Sequence, residues 1–248
     1  MKRILTYFAV VMCCFFSYYV ALKAISLGIN KLQVHLVTKQ VLNGKSSTIA
    51  ADMYYRSDGK ITTHFQQPAE YILQTNREGE YQIYDPKTNT IEQNQSESVS
   101  TEITFFSYFL HGQTNDMGLR KLGFQQISTD FDDGLLVTEW QPKSPLGVPI
   151  FKAELVHQDY KPVYLGYENF DGKVMRKMFF YNYKKVGAVD FPSTITEINF
   201  YENGDSTVSK TQYSDFKINE KAASKYFDFE PPSLSLIHIS EPTRHRRI

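Results

Sequence analysis

An alternation of apolar and polar residues, interrupted by turn dipeptides, runs through the chain and is clearest between residues 54 and 86. Asp58-Gly59 lies between the first two extended stretches, and Asp-Gly supplies the two positive-φ residues that a type I′ hairpin turn needs. Glu78-Gly79 separates the next two stretches. Alternate side chains share one face, as in half-buried strands: Ile61, Thr63 and Phe65, then Tyr71 and Leu73. An antiparallel meander is therefore predicted here.

The same pattern continues along most of the chain. Further turn signals, each flanked by strand-like residues, occur at Asn43-Gly44, Asp133-Gly134, Asp171-Gly172 and Asn203-Gly204. Their spacing predicts roughly ten to twelve strands in one antiparallel sheet or barrel. Because no repeat, low-complexity tract or linker divides these strands, a single domain is expected.

Residues 98–124 depart from the alternation. Ser100 or Thr101 would cap a helix here, and His111-Gly112 would end it. A second short helix is predicted between residues 115 and 122. The apolar residues of the first helix fall at i, i+3, i+6 and i+7, the spacing of one helix face: Ile103, Phe106, Phe109 and Leu110. This stripe is compatible with ordinary packing against a sheet and with a lid over a cavity.

The N-terminus has the composition of an export signal. A basic start precedes an apolar run of about 19 residues from Ile4 to Leu22, and Ala24 is a small residue suited to a cleavage site. The run is also just long enough for a bilayer, which takes about 20 residues. Residues 1–24 are therefore predicted to be a signal peptide or an N-terminal membrane anchor, with the exported form starting near Ile25.

The C-terminal residues 234–248 break the pattern in a different way. LSLIHISEPTR resembles the translation of a transposase adapter used in sequencing libraries, followed by read-through. We therefore expect this tail not to be native, and we take residues 25–233 as the folded domain. That domain carries 21 basic and 26 acidic side chains, a net charge of −5, which lacks the basic footprint of a nucleic-acid-binding protein.

Residues that could carry catalysis or hold a metal are sparse in the sequence. Both cysteines, Cys13 and Cys14, lie in the leader. Outside the tail the histidines stand alone, without a partner at metal-site spacing: His35, His64, His111 and His157. No nucleophile elbow, phosphate loop or HExxH motif occurs. The sequence therefore predicts no enzyme activity, no metal and no cofactor.

Several blocks of sequence, in this order, resemble one protein family. They are HFQQP at 64–68, EYIL at 70–73 and IYDP at 83–86, with weaker matches at ITFFSYFL (103–110), LGFQQI (122–127) and FDFEPP (227–232). Together they are similar to the LolA-like proteins, periplasmic carriers that move lipoproteins to the outer membrane. The resemblance implies a mainly β (α+β) domain over residues 25–233, a single antiparallel half-barrel with one or two lid helices on its concave face.

The resemblance also implies where a ligand binds. The lid would cover an apolar cavity, and the expected cavity and lid residues are Arg56, Phe65, Ile103, Phe105, Phe106, Phe109 and Leu110. In the resembled family, an arginine at the position of Arg56 reaches into the cavity and bonds carbonyls of the lid helices. A guanidinium, with five donors in a fork, suits that task. The alternative is an Arg56 beside the hairpin turn, solvated or paired with Asp58.

The implied function is that of a carrier in the periplasm of a diderm bacterium. It would shield acyl chains of lipoproteins or lipids and deliver them toward the outer membrane. An inner-membrane release complex and an outer-membrane acceptor would be its partners, with no nucleic acid involved. Two alternatives stay open: an inner-membrane-tethered envelope sensor or interaction module that binds a protein partner, and a solid β-sheet protein with a structural role. The 17 Tyr and 18 Phe suit either a lined cavity or a filled core.

Deleting residues 234–248 is expected to leave the melting temperature unchanged, because the tail does not share the alternating pattern that precedes it. Thermal unfolding followed by circular dichroism, on the full chain and on the truncated chain, measures this. A loss of several degrees would show that the tail is part of the native domain.

Overall fold

A computed structural model describes residues 28–96, 99–144 and 150–232, together with the backbone of residues 236–239; of Ile103 it describes the backbone alone. Thirteen antiparallel strands within these residues form one open sheet, more strands than the ten to twelve predicted. The strands are β1 Lys31–Leu42, β2 Lys45–Arg56, β3 Ile61–Gln67, β4 Tyr71–Thr75, β5 Glu80–Asp85, β6 Thr90–Gln95, β7 Phe124–Asp132, β8 Leu135–Pro142, β9 Lys152–Gln158, β10 Lys161–Glu168, β11 Val174–Val186, β12 Val189–Phe200 and β13 Ser206–Ile218.

Two meanders make up this sheet: the first contains β1–β6 and the second contains β7–β13. The strand order is β6-β5-β4-β3-β2-β1-β13-β12-β11-β10-β9-β8-β7, so every neighbouring pair except one is also consecutive in sequence. The exception is β1 with β13, which pair antiparallel from Leu32 opposite Ile218 to Leu42 opposite Thr207. The sheet stays open, with β7 as one outermost strand; after Phe124 every residue of β7 is exposed.

The turn dipeptides form most of the predicted hairpins. Asn43 and Gly44 have φ of 49° and 72°, and Asp133 and Gly134 have φ of 45° and 80°, as a type I′ turn requires. The turn at Asp58-Gly59 differs from the prediction, because Gly59 alone has positive φ, 91°. That loop is longer: the Arg56 amide donates to the carbonyl of Lys60, and the Gly59 amide donates to the carbonyl of Arg56.

One short α-helix, α1 (Phe105–Leu110), lies in the described part of the connection between β6 and β7. The hydroxyl oxygen of Thr104 caps it by accepting from the Ser107 amide at 3.2 Å, and a 3-10 helix at Thr101–Ile103 precedes it. Helix α1 ends at Leu110, and His111 caps it before Gly112, which has φ of 64°; the prediction that His111-Gly112 ends the helix is confirmed.

The prediction of a second helix between residues 115 and 122 is wrong. Met117 and Gly118 have φ of 46° and 79°, and two successive left-handed residues interrupt a helix, so the segment is a series of turns. Gly118 is required there, since a Cβ on it would lie 2.2 Å from the hydroxyl oxygen of Tyr108. The turns place Met117 and Leu119 in the core.

The main core lies between α1 and one face of the sheet, which we call the inner face. Both meanders contribute to it: Leu32, Val34, Tyr55 and Ile61 from β1–β3, and Trp140, Leu155, Leu165, Met178, Phe180 and Phe191 from β8–β12. The helix thus covers the junction of the two meanders. This agrees with the predicted half-barrel and a lid on its inner side.

A second layer covers the opposite, outer face of β2–β6. It is formed by residues 222–232, which we call the C-terminal strap and which contain the 3-10 helix Lys225–Asp228. The Phe227 ring packs edge-on against Tyr54, with centroids 5.5 Å apart, and Phe229 lies 5.8 Å from Tyr84. Tyr226 stacks on His64 at 4.6 Å.

Both predicted terminal segments lie at or beyond the limits of the described residues. The leader, residues 1–24, falls outside them, and no helix within them is long and apolar enough to span a membrane. From the tail, the backbone of Leu236–Ile239 forms a fourteenth strand, β14, parallel to β6. The deletion experiment described above measures how much this strand contributes to stability.

Replacing Phe227 by alanine is expected to lower the free energy of unfolding by about 3–5 kcal/mol, because the side chain is 1% exposed and its loss leaves a cavity between strap and sheet. Urea denaturation measures the change. Phe131→Ala is the matched control: Phe131 is 72% exposed, so its loss should have little effect. Equal stability of the two variants would mean that the strap is not packed as described.

Candidate functional site

Five aromatic side chains form a layer between α1 and the inner face: Phe106, Phe109, Phe180, Phe191 and Tyr213, here called the aromatic layer. Phe109 lies 5.3 Å from Phe180 and 5.8 Å from Phe191, both edge-on. Phe106 lies 5.5 Å from Phe191 and 6.1 Å from Tyr213. Edge-to-face rings at these distances attract one another beyond their burial. The space directly under the helix is therefore filled by the protein's own side chains.

The predicted lid residues come together in this layer or beside it. Phe106, Phe109 and Leu110 are buried, and Phe105 is half-buried against Phe180 at 5.9 Å. Ile103 lies in the 3-10 helix before α1, and its side chain is outside the description. Phe65 is not part of the layer: it stacks on Tyr71, its cross-strand partner, at the far end of β3.

Arg56 does not contact α1, contrary to what the resemblance implied. Its guanidinium bonds the carboxylates of Asp58, at 2.5 Å, and of Asp228 in the strap, and donates to the carbonyl of Phe227 at 3.5 Å. The reason is the two-residue period of β2: Tyr55 points to the inner face, so Arg56 points to the outer face. Arg56 therefore binds the strap to β2. It also forms the ion pair with Asp58 that was one of the alternatives for this residue.

An apolar groove of about 620 Å³ opens on the inner face beyond Phe105. Its wall contains Arg176, whose guanidinium carbon lies 5.8 Å from the centroid of the Phe105 ring and connects the groove to α1. The groove is lined by Leu122, Phe124, Ile150, Tyr167, Met175, Arg176, Asn199, Phe200 and Tyr201. Leu122, Phe200 and Tyr201 expose 39–50% of their surface, so the mouth of the groove is accessible. The Lys177 ammonium lies 6.0 Å from the centroid of the Phe200 ring, so a cation adjoins this apolar surface.

The groove residues were not predicted to form a site. Tyr167 lies opposite Arg176 on β10 and β11, and Arg176 lies opposite Asn199 on β12, so strand pairing brings together positions far apart in sequence. The one available signal was LGFQQI at 122–127, a block that contains Leu122 and Phe124.

The electrostatics of the groove are those of a largely apolar site. Burial raises the pKa of the Tyr167 hydroxyl to about 12. Arg176 is paired with Glu197 at 2.9 Å, which neutralises the one cation among the described lining residues of the groove. Within the described residues no three His, Cys, Asp or Glu side chains are grouped as a metal site would need. The groove can therefore hold an apolar chain, with polar groups only at its margin.

Comparison with known proteins identifies the fold. No family model matches the sequence, and no curated protein matches it. Among solved structures, a LolA superfamily protein from Nitrosomonas europaea superposes with a TM-score of 0.52 at 11% identity, covering 77% of this chain and 87% of the other. The protein has a LolA-like fold. This confirms the resemblance that the sequence blocks indicated.

Two further structures share the LolA-like fold. A DUF1329 family protein from Desulfovibrio piger matches with a TM-score of 0.56 at 15% identity. A domain named for outer membrane lipoprotein sorting, from Vibrio parahaemolyticus, matches with a TM-score of 0.52 at 13% identity. Each match covers 85% of this chain and 95% of the other.

Above pH 10 the LolA-like domain is expected to lose stability, and Tyr167→Phe should lose less. The folded pKa of Tyr167 is about 12, above the ordinary value of 10.0, so the folded state holds this proton more tightly than the unfolded state. The resulting stabilisation is complete below pH 10 and is lost as the pH rises through 12. Urea denaturation at pH 9 and pH 11 measures both proteins. An identical loss in both would show that Tyr167 does not contribute.

Proposed function

We propose that this LolA-like domain binds the acyl chains of a lipid or lipoprotein in the periplasm of a diderm bacterium and delivers them toward the outer membrane. It would receive its cargo from an inner-membrane complex and pass it to an outer-membrane acceptor. The fold, shared with a domain named for lipoprotein sorting, and the export-like leader, residues 1–24, support this proposal. The domain acts by binding and not by catalysis.

The apolar groove beyond Phe105 is the observation that carries the proposal. At about 620 Å³ it lies within the 300–1,000 Å³ typical of ligand sites. Transfer of an acyl chain from water contributes about 0.8 kcal/mol per CH₂, so a 16-carbon chain gains on the order of 10 kcal/mol before ordering costs. Leu122, Phe200 and Tyr201 give the mouth of the groove apolar surface along which a chain can enter.

Helix α1 is suited to move when a longer chain enters. It has six residues, and a helix that short is held by packing and not by its own hydrogen bonds. Its inward side chains, Phe106 and Phe109, contact other aromatic rings, and the hydrogen bond between His111 and the Tyr55 hydroxyl joins the end of the helix to β2. A chain that displaced these rings would replace one apolar contact by another. The aromatic layer would then fill the site in the absence of ligand and be displaced when cargo binds.

The test uses a fluorescent fatty-acyl probe and the purified protein. Leu122→Asp and Phe200→Asp are expected to weaken binding about tenfold or more each, because a carboxylate in an apolar site is strongly disfavoured. Both side chains are about 40% exposed, so the variants should remain folded. Phe106→Asp and Phe109→Asp are poor choices, since both rings are buried in the core and their replacement should unfold the domain.

Phe170→Asp is the matched control, because Phe170 is 67% exposed and lies outside the groove. It should bind the probe as the unchanged protein does. A lipoprotein acyl chain should displace the probe from both. A folded protein that binds no probe would overturn the carrier function and leave the interaction module, anchored by residues 1–24, as the function to test next.

A further inference from the structure

A second pocket, of about 350 Å³, lies at the C-terminal end of α1. It is enclosed by the end of the helix, the turn after β2 and the turn after β4. The side chains that matter for its chemistry are Tyr55, Arg77, Glu102, Ser107, His111 and Lys121. Two of them are permanent cations and one is an acid, so we call it the basic pocket.

Arg77 is fixed in the wall of the basic pocket. One guanidinium nitrogen donates to the carbonyl of Ser57 at 2.7 Å. Its aliphatic part lies across Gly59, where an added Cβ would be 2.3 Å from Cγ of Arg77. None of the described carboxylates forms an ion pair with it, although a guanidinium offers five donors in a fork that fits phosphate or carboxylate. A positioned arginine of this kind suits an anionic ligand.

Lys121 supplies the second cation, and its present partner is replaceable. It bonds Glu102 at 2.8 Å, with about half of each side chain exposed. The hydrogen bond from Lys121 lowers the pKa of Glu102, and the charges of Arg77 and His111 lower it further. One carboxylate therefore lies near two full cations. Exposed ion pairs are weak, so an entering anion can compete with Glu102 for Lys121.

The inner wall of the basic pocket is continuous with the aromatic layer. His111 bonds the Tyr55 hydroxyl through Nε2 at 3.0 Å and the Ser107 hydroxyl through Nδ1 at 3.1 Å. The Tyr55 ring in turn lies 6.3 Å from Phe106. Lys121 lines the basic pocket, and the next residue, Leu122, lines the apolar groove. One turn of the chain thus connects a cationic site to an apolar one.

We propose that the basic pocket binds the anionic group, a phosphate or a carboxylate, of an amphiphile whose acyl chain lies in the apolar groove beside α1. This rests on the proposed function and names its ligand class: a singly or multiply acylated anionic lipid, in preference to a neutral one. Arg77 donates two hydrogen bonds to the anion. Lys121 leaves its ion pair with Glu102 and pairs with the anion instead.

The experiment compares three ligands by calorimetry below their micellar concentrations: lysophosphatidic acid, a monoacylglycerol of the same chain length, and inorganic phosphate. The unchanged protein is expected to bind lysophosphatidic acid about tenfold more tightly than the monoacylglycerol, since a charge-assisted bidentate contact is roughly twice as strong as a neutral one. Arg77→Gln combined with Lys121→Gln should abolish this preference, so that the two lipids bind with similar affinity.

The control is Lys87→Gln combined with Lys173→Gln, which removes the same charge from turns away from the pocket. It should keep the preference, and all variants must retain the circular dichroism of the folded domain. A preference that persists in the Arg77/Lys121 variant overturns the proposal while the acyl-carrier function stands. If inorganic phosphate binds as tightly as lysophosphatidic acid, the ligand of the pocket is a free anion and not an amphiphile. If the folded protein binds neither lipid, both the anion-binding proposal and the acyl-carrier function are wrong.

Discussion

Antiparallel pairing of β1 with β13 is the contact on which the rest of the structure depends. The two strands are separated by most of the chain, yet they run side by side from Leu32 and Ile218 to Leu42 and Thr207. Their pairing converts two independent meanders into one sheet with a continuous inner face. Only then can Leu32 of β1 and Phe191 of β12 belong to one core. Contacts so distant in sequence are costly to close, so this pairing is expected to form late in folding.

Helix α1 covers the inner face of the first meander, and the C-terminal strap covers the outer face. Because strand residues alternate between the two faces, neighbouring side chains pack against different layers. Tyr54 packs against Phe227 of the strap, while its neighbour Tyr55 packs against Phe106 of α1. The basic pocket and the apolar groove belong to the inner layer, whereas Arg56 belongs to the outer one. A direct path from the strap to the basic pocket runs through the turn after β2, where Arg56 bonds Asp58 and the Ser57 carbonyl accepts from Arg77.

Much of this fold could be predicted from sequence, because alternation and turn dipeptides are local signals. Asn43-Gly44 and Asp133-Gly134 adopt the expected backbone, and His111-Gly112 follows the last residue of α1 as predicted. Prediction failed where a tertiary contact decides the outcome. Met117 and Gly118 take left-handed conformations that bury Met117 and fit Tyr108 against Gly118, and no helical pattern reveals this. The groove likewise depends on strand register, which sets Tyr167 opposite Arg176.

The outer edge of β7 bears on whether copies of this chain associate. Among the described strands β7 pairs with β8 alone, and an edge strand without a second partner is a template for strand addition. After Phe124 every side chain of β7 is exposed. Two features oppose such addition. The register shift between Gln126 and Ser128 bends the edge out of plane, and Asp130 and Asp132 would bring like charges together if two copies met. At crowded concentrations this edge should keep neighbouring sheets apart.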